Sequence, residues 1–308
     1  MKPLLALFSL SSTLLYAESN DFLVDPSKGT AFPSMQKAID AALAKHSKKP
    51  VCISISPGTY RERLTFPTAM GDLILKGAGA ETTKIVFNLA ANSQNPDGTP
   101  VGTTNSATVS IRCPSIHVSG ITFENDFGQG SQALAVALHS ERGEFTNCRF
   151  LGWQDTLLAS SGKYSFEKCY IEGHVDFIFG AATAYFHDCD IHAKSAGFIT
   201  AASTPQEQEF GFVFDHCRVT VAKLAKGSVF LGRPWRPYAS VTWLNCEMSK
   251  GIAPDGWENW RKPENEKTAR YSEYLSKGEG GKADKRVKWS RQLDSNQAAA
   301  ITRDTVLK

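Results

Sequence analysis

The middle of the chain carries a repeated pattern of apolar positions, aromatic-x-x-Cys-x-apolar, whose copies recur at intervals of about 20 to 29 residues. Internal repeats of this length are typical of solenoids, so we interpret each copy as part of one turn. Clusters of Gly, Asn, Asp and Pro between the copies supply the turn chemistry that short strands need. We therefore predict an all-β, single-domain, right-handed parallel β-helix. The five copies occupy residues 145–150, 166–171, 186–191, 214–219 and 243–248.

Apolar periodicity also predicts how the β-helix begins. Ser34 is a suitable N-cap for a short amphipathic helix that could close the open end of the solenoid. The apolar face of this helix would consist of Met35, Ala38, Ile39, Ala42 and Leu43. After the helix, β-rich runs predict strands at 51–55, 73–76, 84–87, 108–111 and 116–123.

Two segments depart from the repeat. Residues 88–105 are polar and rich in Asn, Gly, Thr and Pro, which predicts a long excursion that could overhang a cleft. Beyond Gly251 the repeat fades into an irregular tail, and residues 263–288 are expected to be solvated loop. Asp294 is expected to cap a last short helix.

The amino-terminal residues resemble an export signal. Met1-Lys2-Pro3 precedes an apolar run at 4–15, which predicts a signal peptide over 1–17, cleaved after Ala17. The alternative is a membrane anchor, but the run is shorter than the roughly 20 residues that a span needs. We expect a mature domain over 18–308 that is secreted or periplasmic, with no membrane partner.

Composition narrows the functional class. The chain has 308 residues, 42% of them hydrophobic and 21% charged, which is ordinary for a globular protein with a sizeable core. A net charge of +3 is too small and too dispersed to indicate nucleic acid as a partner. The sequence contains neither C-x-x-C nor H-E-x-x-H, so no metal site is predicted.

The seven cysteines permit disulfides in an exported protein, although an odd number leaves at least one thiol unpaired. Cysteines at equivalent places on adjacent turns would have Cα atoms about 4.8 Å apart, within the disulfide range. Cys169 with Cys189 is the preferred pair. The alternative for the other cysteines is a ladder of buried free thiols.

Two acids and two amides form the strongest chemical pattern. Asp155 and Asp176 each lie seven residues after the cysteine of their repeat, so they should occupy equivalent places on neighbouring turns. Counting back 22 residues from Gln154 gives Gln132 on the preceding turn. Amide side chains can stabilise an oxyanion, and two close carboxyls cannot ionise equally. Solenoid corners also use Asn, Asp and Gln structurally, so spacing alone leaves both interpretations open.

A cation and an aromatic ring follow later in the chain. Arg233-Pro234-Trp235 combines a guanidinium group that can hold a carboxylate in bidentate geometry with an indole suited to the face of a sugar ring. A buried salt bridge beside a core tryptophan is the structural alternative.

Five motifs taken together resemble the signature set of pectin methylesterases of the microbial type. They are Gly58-Thr59-Tyr60-Arg61-Glu62, Gln132-Ala133, Gln154-Asp155-Thr156-Leu157, Asp176-Phe177-Ile178-Phe179-Gly180 and Leu231-Gly232-Arg233-Pro234-Trp235. The resemblance implies hydrolysis of the C6 methyl esters of methylated homogalacturonan (pectin). We expect no cofactor and a monomeric protein. The Cys169 and Cys189 pairing also resembles a bond of bacterial members.

The resemblance also implies a role for each residue. Asp176 would be the nucleophile, and Asp155 the general acid and then the general base. Gln132 and Gln154 would stabilise the oxyanion. Arg233 would orient Asp176, while Trp235 and Phe179 would line the sugar-binding cleft. Within the first motif, Tyr60 and Glu62 are expected to be structural.

Two other functions stay open on the sequence. A pectate-type lyase on the same scaffold would need a calcium cluster of carboxylates and a base, and a sugar-binding β-helix would need no catalytic groups at all. A serine esterase is disfavoured because no G-x-S-x-G motif occurs.

Overall fold

Short parallel strands wind into a β-helix in the computed structural model, which describes residues 20–45, 49–223 and 227–308. The strands of that part form two hydrogen-bonded sheets, and every strand pairing in them is parallel. The predicted parallel β-helix is therefore confirmed. The predicted signal peptide lies outside the described residues.

The first sheet, called sheet A, has eleven strands in the described chain, and its spatial order follows the sequence order. Its strands are Asn20–Val24, Val51–Ile55, Leu73–Gly77, Ser115–Ser119, Arg142–Thr146, Lys163–Glu167, Thr183–His187, Phe212–Asp215, Ser240–Leu244, Arg270–Tyr274 and Arg291–Gln292.

The second sheet, called sheet B, has thirteen strands in the same described residues. They are Gly58–Tyr60, Leu64–Phe66, Thr83–Phe87, Val109–Ile111, Thr122–Asn125, Val136–Leu138, Arg149–Leu151, Leu157–Ala159, Tyr170–Gly180, Asp190–Ala202, Arg218–Val221, Val229–Pro234 and Glu247–Met248.

Two long strands join the halves of sheet B. The first half of Tyr170–Gly180 pairs with Arg149–Leu151, and its second half pairs with Leu157–Ala159. The register between Tyr170–Gly180 and Asp190–Ala202 shifts twice, between Gly173 and Ile178. The strand is therefore irregular at the point where it passes from one half of the sheet to the other, and Asp176 lies within this irregular stretch.

The aromatic positions of the repeat stack along the interior. Phe145, Phe166, Phe186, Phe214 and Trp243 are fully buried. Successive ring centroids lie 5.0, 4.5, 4.5 and 3.9 Å apart, with interplanar angles of 11° or less. One aromatic residue per turn thus forms a continuous column, as the repeat predicts, and burial of these large rings stabilises the solenoid.

The five cysteines of the repeat form a second column, and the predicted Cys169–Cys189 disulfide is wrong for this structure. All seven cysteines are buried free thiols. Each thiol of the column is directed to backbone carbonyl oxygens, so Cys189 Sγ lies 3.4 Å from Phe166 O and Cys169 Sγ lies 3.5 Å from Phe145 O. The thiols of adjacent turns are therefore neighbours that stay unbonded, and Cys169 N donates to Cys189 Sγ at 3.4 Å. Burial raises the pKa of both thiols and keeps them protonated.

The amino-terminal helix has the predicted start. It spans Met35–Ala44, and the Ser34 side chain accepts a hydrogen bond from Lys37 N. Glu62 provides a second cap, because its carboxylate accepts from Met35 N and Gln36 N, both at 2.9 Å. A structural role for Glu62 is thus confirmed, and its negative charge also suits the positive end of the helix dipole.

Most predicted strands match the structure to within a residue, but the run at 116–123 is two strands. Ser115–Ser119 belongs to sheet A and Thr122–Asn125 to sheet B. Gly120 separates them with a φ of 64°, and a Cβ there would approach Gly77 O to 3.1 Å. A corner that needs a left-handed, side-chain-free residue therefore interrupts the predicted β-rich run.

The prediction of a solvated loop at 263–288 is wrong. Arg270–Tyr274 is a strand of sheet A paired with Ser240–Leu244, and Tyr271 is fully buried. Within this strand Glu273 pairs with Arg286, whose Nε lies 2.8 Å from Glu273 Oε1, and both side chains are almost completely buried. The many charged residues of this segment predicted exposure to solvent. The sequence does not show that two of these charges, Glu273 and Arg286, form an ion pair inside the fold.

The remaining helices are short. Asp294 caps Ser295–Ala299 with a capping box, as predicted, and Arg303–Leu307 follows. Four 3₁₀ turns occur in the described residues, at Thr68–Met70, Thr104–Ser106, Pro263–Lys267 and Glu279–Gly281. Across residues 20–45, 49–223 and 227–308, none of the helices combines the length and apolarity that a membrane span requires.

Candidate active site

Asp155 and Asp176 occupy equivalent places on neighbouring turns, as their spacing predicts. Leu157 and Ile178, each two residues after an aspartate, are register partners in sheet B. Asp155 N also donates to Val175 O at 3.1 Å, which ties the two corners together. Neighbouring parallel strands lie about 4.8 Å apart, so this register brings the two carboxyls together on one side of the β-helix.

Both aspartates have left-handed backbone conformations, with φ of 63° at Asp155 and 52° at Asp176. Aspartate tolerates this region better than most residues, but the conformation is still uncommon outside glycine. Unusual backbone geometry of this kind often occurs at functional sites, where the surrounding fold holds it in place. Here the hydrogen bonds of the flanking strands hold both corners.

Gln132 and Gln154 are adjacent to each other, on the same side of the β-helix as the two aspartates. Gln132 and Gln154 form an isolated parallel bridge, and Ala133 N donates to Gln154 O at 3.1 Å. The interval here is 22 residues, whereas the following strand pair, Val136 with Leu157, has an interval of 21. One extra residue between Gln132 and Val136 therefore accounts for the difference between the amide interval and the acid interval.

Arg233 makes a bidentate contact with Asp176. Its Nε and Nη2 donate to the two carboxylate oxygens at 2.9 and 2.6 Å. The arginine reaches Asp176 from two turns further along the β-helix, since Phe179 pairs with Ala201 and Ala201 with Arg233. This geometry favours the ionised form of Asp176 and fixes the orientation of its carboxylate.

Two aromatic rings that the sequence did not indicate hold the guanidinium group. The Arg233 Cζ atom lies 3.8 Å from the ring centroid of Phe198 and 3.9 Å from that of Trp260. Trp260 has a φ of 64°, and its turn is held by Glu258, which accepts from Trp260 N and Arg261 N. Two close cation–π contacts restrict the arginine further. Neither aromatic residue belongs to a recognisable motif, so only the three-dimensional contacts reveal them.

Burial makes the two acids unequal. Desolvation, and then the charge of Asp176, raise the pKa of Asp155 to about 8, with Arg233 opposing the shift. Desolvation also raises the pKa of Asp176, but there the hydrogen bonds from Arg233 act against it. At neutral pH the arrangement therefore favours a proton on Asp155 and a negative charge on Asp176.

A cleft of about 580 Å³ contains all seven residues predicted from the sequence. They are Gln132, Gln154, Asp155, Asp176, Phe179, Arg233 and Trp235. The rings of Phe179 and Trp235 are in contact, with centroids 6.1 Å apart. Thr103 and Thr104, at the end of the polar excursion, line the same cleft, in agreement with the expectation that this segment overhangs it.

A parallel β-helix whose cleft combines two buried carboxyls, a bidentate arginine, two amides and aromatic rings defines a carbohydrate-active enzyme that works on carboxyl derivatives. Comparison with known proteins specifies the class. The family model described as Pectinesterase matches residues 21–308. The chain belongs to the pectinesterase family of carboxylic ester hydrolases.

Individual relatives agree with this assignment. The chain is 40% identical over 271 residues to Pectinesterase 31 of Arabidopsis thaliana, covering 86% of this chain and 85% of that protein. Pectin methylesterase from carrot superposes with a TM-score of 0.84 at 30% identity, covering 93% of this chain and 92% of the carrot chain. A pectin methylesterase in complex with a hexasaccharide gives a TM-score of 0.83 at 30% identity, covering 94% and 97% of the two chains.

Proposed function

We propose that this protein hydrolyses the methyl esters of galacturonate units in pectin by covalent catalysis, with Asp176 as the nucleophile and Asp155 as the acid and base. Family membership supports the substrate class. The observation that carries the division of roles is the bidentate contact of Arg233 with Asp176, beside an Asp155 whose pKa is raised to about 8. An ionised carboxylate can attack, and a protonated one can donate.

The first half of the reaction forms an acyl-enzyme. A carboxylate oxygen of Asp176 attacks the C6 carbonyl carbon, and the amides of Gln132 and Gln154 stabilise the negative charge that develops on the carbonyl oxygen. The tetrahedral intermediate collapses by breaking the bond to the methoxy oxygen, which takes the proton of Asp155 and leaves as methanol. Asp176 is then joined to the galacturonate carbonyl as an anhydride, and Asp155 is ionised.

The second half restores the enzyme. Asp155 takes a proton from a water molecule whose oxygen attacks the anhydride carbonyl. Breaking the bond to Asp176 releases a free galacturonate carboxyl and returns the nucleophile as a carboxylate held by Arg233. Asp155 ends protonated, ready for the next ester.

The aromatic wall of the cleft supports a sugar polymer as the substrate. Trp235 and Phe179 offer adjoining apolar surfaces next to the acids, and the faces of sugar rings pack on such surfaces. We propose that they bind methylated homogalacturonan and that the protein acts as a monomer. Export to the periplasm or the medium is proposed from residues 1–17.

Methanol release from methylated pectin tests the proposal. The purified protein should release methanol and free carboxyl groups, also in the presence of a chelator. A calcium-dependent lyase would instead lose activity in the chelator, and its product would be unsaturated ends without methanol.

Asp176→Asn and Asp155→Asn should each lower turnover by about 10² to 10⁴ without loss of fold. Asp190→Asn, at an acid exposed on the surface, is the matched control and should retain full activity. Undiminished turnover in Asp176→Asn would refute the nucleophile.

A further inference from the structure

Three side chains with metal-binding atoms converge at the end of two neighbouring strands of sheet A. His187 is the last residue of Thr183–His187, Asp215 is the last residue of Phe212–Asp215, and the two are register partners. His216 follows directly. One nitrogen of each histidine and one oxygen of Asp215 all lie within 4.8 Å of one another.

The individual distances are short. His187 Nδ1 lies 3.2 Å from Asp215 Oδ2, and His216 Nδ1 lies 2.8 Å from Asp215 Oδ1. His187 Nδ1 is buried and makes no hydrogen bond within residues 20–45, 49–223 and 227–308, because its contact with Asp215 lacks hydrogen-bond geometry. A buried ring nitrogen without a hydrogen bond is costly unless another partner satisfies it, and a metal ion is such a partner.

Two hydrogen-bond donors orient the carboxylate of Asp215, which contacts both histidines. Tyr185 OH donates to Asp215 Oδ2 at 2.8 Å, and Asn245 Nδ2 donates to Oδ1 at 3.3 Å. Tyr185 is buried, so its hydroxyl is fixed in place. Hydrogen bonds of this kind to a ligating group are typical of metal sites, where they orient the ligands.

We propose that His187, Asp215 and His216 bind a divalent transition-metal ion of the zinc class. Two imidazole nitrogens and one carboxylate oxygen suit Zn²⁺ better than Ca²⁺ or Mg²⁺, which prefer all-oxygen ligands. Bonds of about 2.0 to 2.1 Å in tetrahedral geometry place ligand atoms about 3.3 Å apart. The two histidine-to-carboxylate distances, 3.2 Å to Oδ2 and 2.8 Å to Oδ1, involve different oxygens, and with one oxygen as ligand the three ligand atoms lie within 4.8 Å of one another. A shift of the half-exposed His216 ring would bring the set to tetrahedral distances, and water would take the fourth position.

Further acids surround the site. His187 Nε2 lies 3.8 Å from Asp188 Oδ2, and Glu167 on the preceding turn reaches the same histidine. Asp188, Glu167 and Asp215 bring three carboxylates to the two histidines and Lys168 contacts Glu167, so acids are in excess among these described residues. This excess attracts a cation to the two histidines.

The expected role of the ion is structural. It would connect two successive turns of sheet A, whereas the acid pair belongs to corners of sheet B. Binding to the folded state alone stabilises it by mass action. The site is therefore independent of the proposed ester hydrolysis, and removal of the metal should leave the turnover of folded protein unchanged.

Zinc titration of untagged, chelator-treated full-length protein tests the site. Calorimetry should show saturable binding of one Zn²⁺ per chain, the melting temperature should rise with Zn²⁺, and Co²⁺ should give the visible absorption of a tetrahedral site. His216→Ala and Asp215→Asn should weaken binding by about 10- to 100-fold or abolish it. His216 is half exposed, although its φ of 54° makes Ala strained there, and Asn has the shape of Asp, so we expect both variants to fold.

His117→Ala is the matched control, because His117 is also an exposed histidine beside an acid, 3.3 Å from Glu144. It should bind Zn²⁺ like the unmodified protein. Absence of saturable binding, or equal affinity in His216→Ala, would overturn the proposal. Methanol release measured on the same samples separates this result from the proposed esterase function, since neither His216 nor Asp215 lines the cleft.

Discussion

Arg233 holds Asp176 through two parallel hydrogen bonds, at 2.9 and 2.6 Å, although 57 residues separate them in the chain. The arginine side chain is about one-fifth exposed and the aspartate side chain less than one-tenth. A bidentate contact that is this well shielded from solvent fixes both the charge and the direction of the attacking oxygen.

Arg233→Lys should keep the positive charge and lose the bidentate contact with Asp176. A lysine donates from a single point, so the carboxylate gains rotational freedom and loses one hydrogen bond. We expect kcat/KM for methanol release to fall by about 10²-fold with an unchanged circular dichroism spectrum. Arg218→Lys, at an exposed ion pair with Asp190, is the control and should change nothing measurable. Activity of Arg233→Lys within twofold of the unmodified protein would contradict a positioning role.

The pH profile should report the proton on Asp155. The general acid must be protonated in the free enzyme, and burial raises the pKa of Asp155 to about 8. As pH increases through about 8 that proton is lost, so kcat/KM should decline on the alkaline side. Initial rates between pH 5 and pH 10, measured by methanol release, check this. A profile that stays flat up to pH 10 would argue against Asp155 as the acid.

Stability should respond to the same residue with a defined sign. The folded-state pKa of Asp155 lies above its unfolded value, so its contribution to stability is complete at acid pH and is lost as pH rises towards about 8. Asp155→Asn removes this loss. The melting temperature of the variant relative to the unmodified protein should therefore be higher at pH 8 than at pH 4.5, by an amount equivalent to a few kcal/mol. An equal difference at both pH values would show that Asp155 titrates normally.

The aromatic contacts of Arg233 should contribute to turnover. Phe198→Leu preserves an apolar side chain but removes the ring face 3.8 Å from the guanidinium group. A cation–π contact of about 1 kcal/mol predicts a fall in kcat of about 5-fold or more, with a smaller effect on KM. Phe198→Tyr keeps the ring and should restore the rate. Phe230→Leu is a packing control, since Phe230 stacks on Phe198 with centroids 5.5 Å apart. If Phe230→Leu lowers kcat as much as Phe198→Leu, the effect is general packing.

Trp235 should affect binding more than chemistry. Its ring packs on Phe179 at the cleft wall and makes no hydrogen bond to either acid in the described residues. Trp235→Ala should raise KM for pectin by about 10-fold while kcat falls much less, because the lost contact is present in both ground and transition states. Initial-rate kinetics on methylated pectin distinguish the two parameters. An equal fall in kcat and kcat/KM would instead assign the ring to the transition state.

The repeat made the acid pair predictable, because Asp155 and Asp176 lie at the same offset from a cysteine in two consecutive turns of equal length. A sequence repeat of constant length predicts which residues of neighbouring strands become register partners. The Arg233 contacts with Phe198 and Trp260 were not predictable, since one ring comes from an adjacent turn and the other from the irregular tail. The tail strand Arg270–Tyr274 was missed for a related reason. Its buried Glu273 forms an ion pair with Arg286, which lies outside the strand, so the sequence around Glu273 looks like an exposed charged segment.

The proposed catalytic groups are spread over five consecutive turns, from Gln132 to Arg233. During synthesis on the ribosome, a nascent chain that ends before residue 233 already contains both acids and both amides, yet it has no cation to orient Asp176. Esterase activity should therefore emerge late in biogenesis, after about three quarters of the polypeptide has been translated and wound.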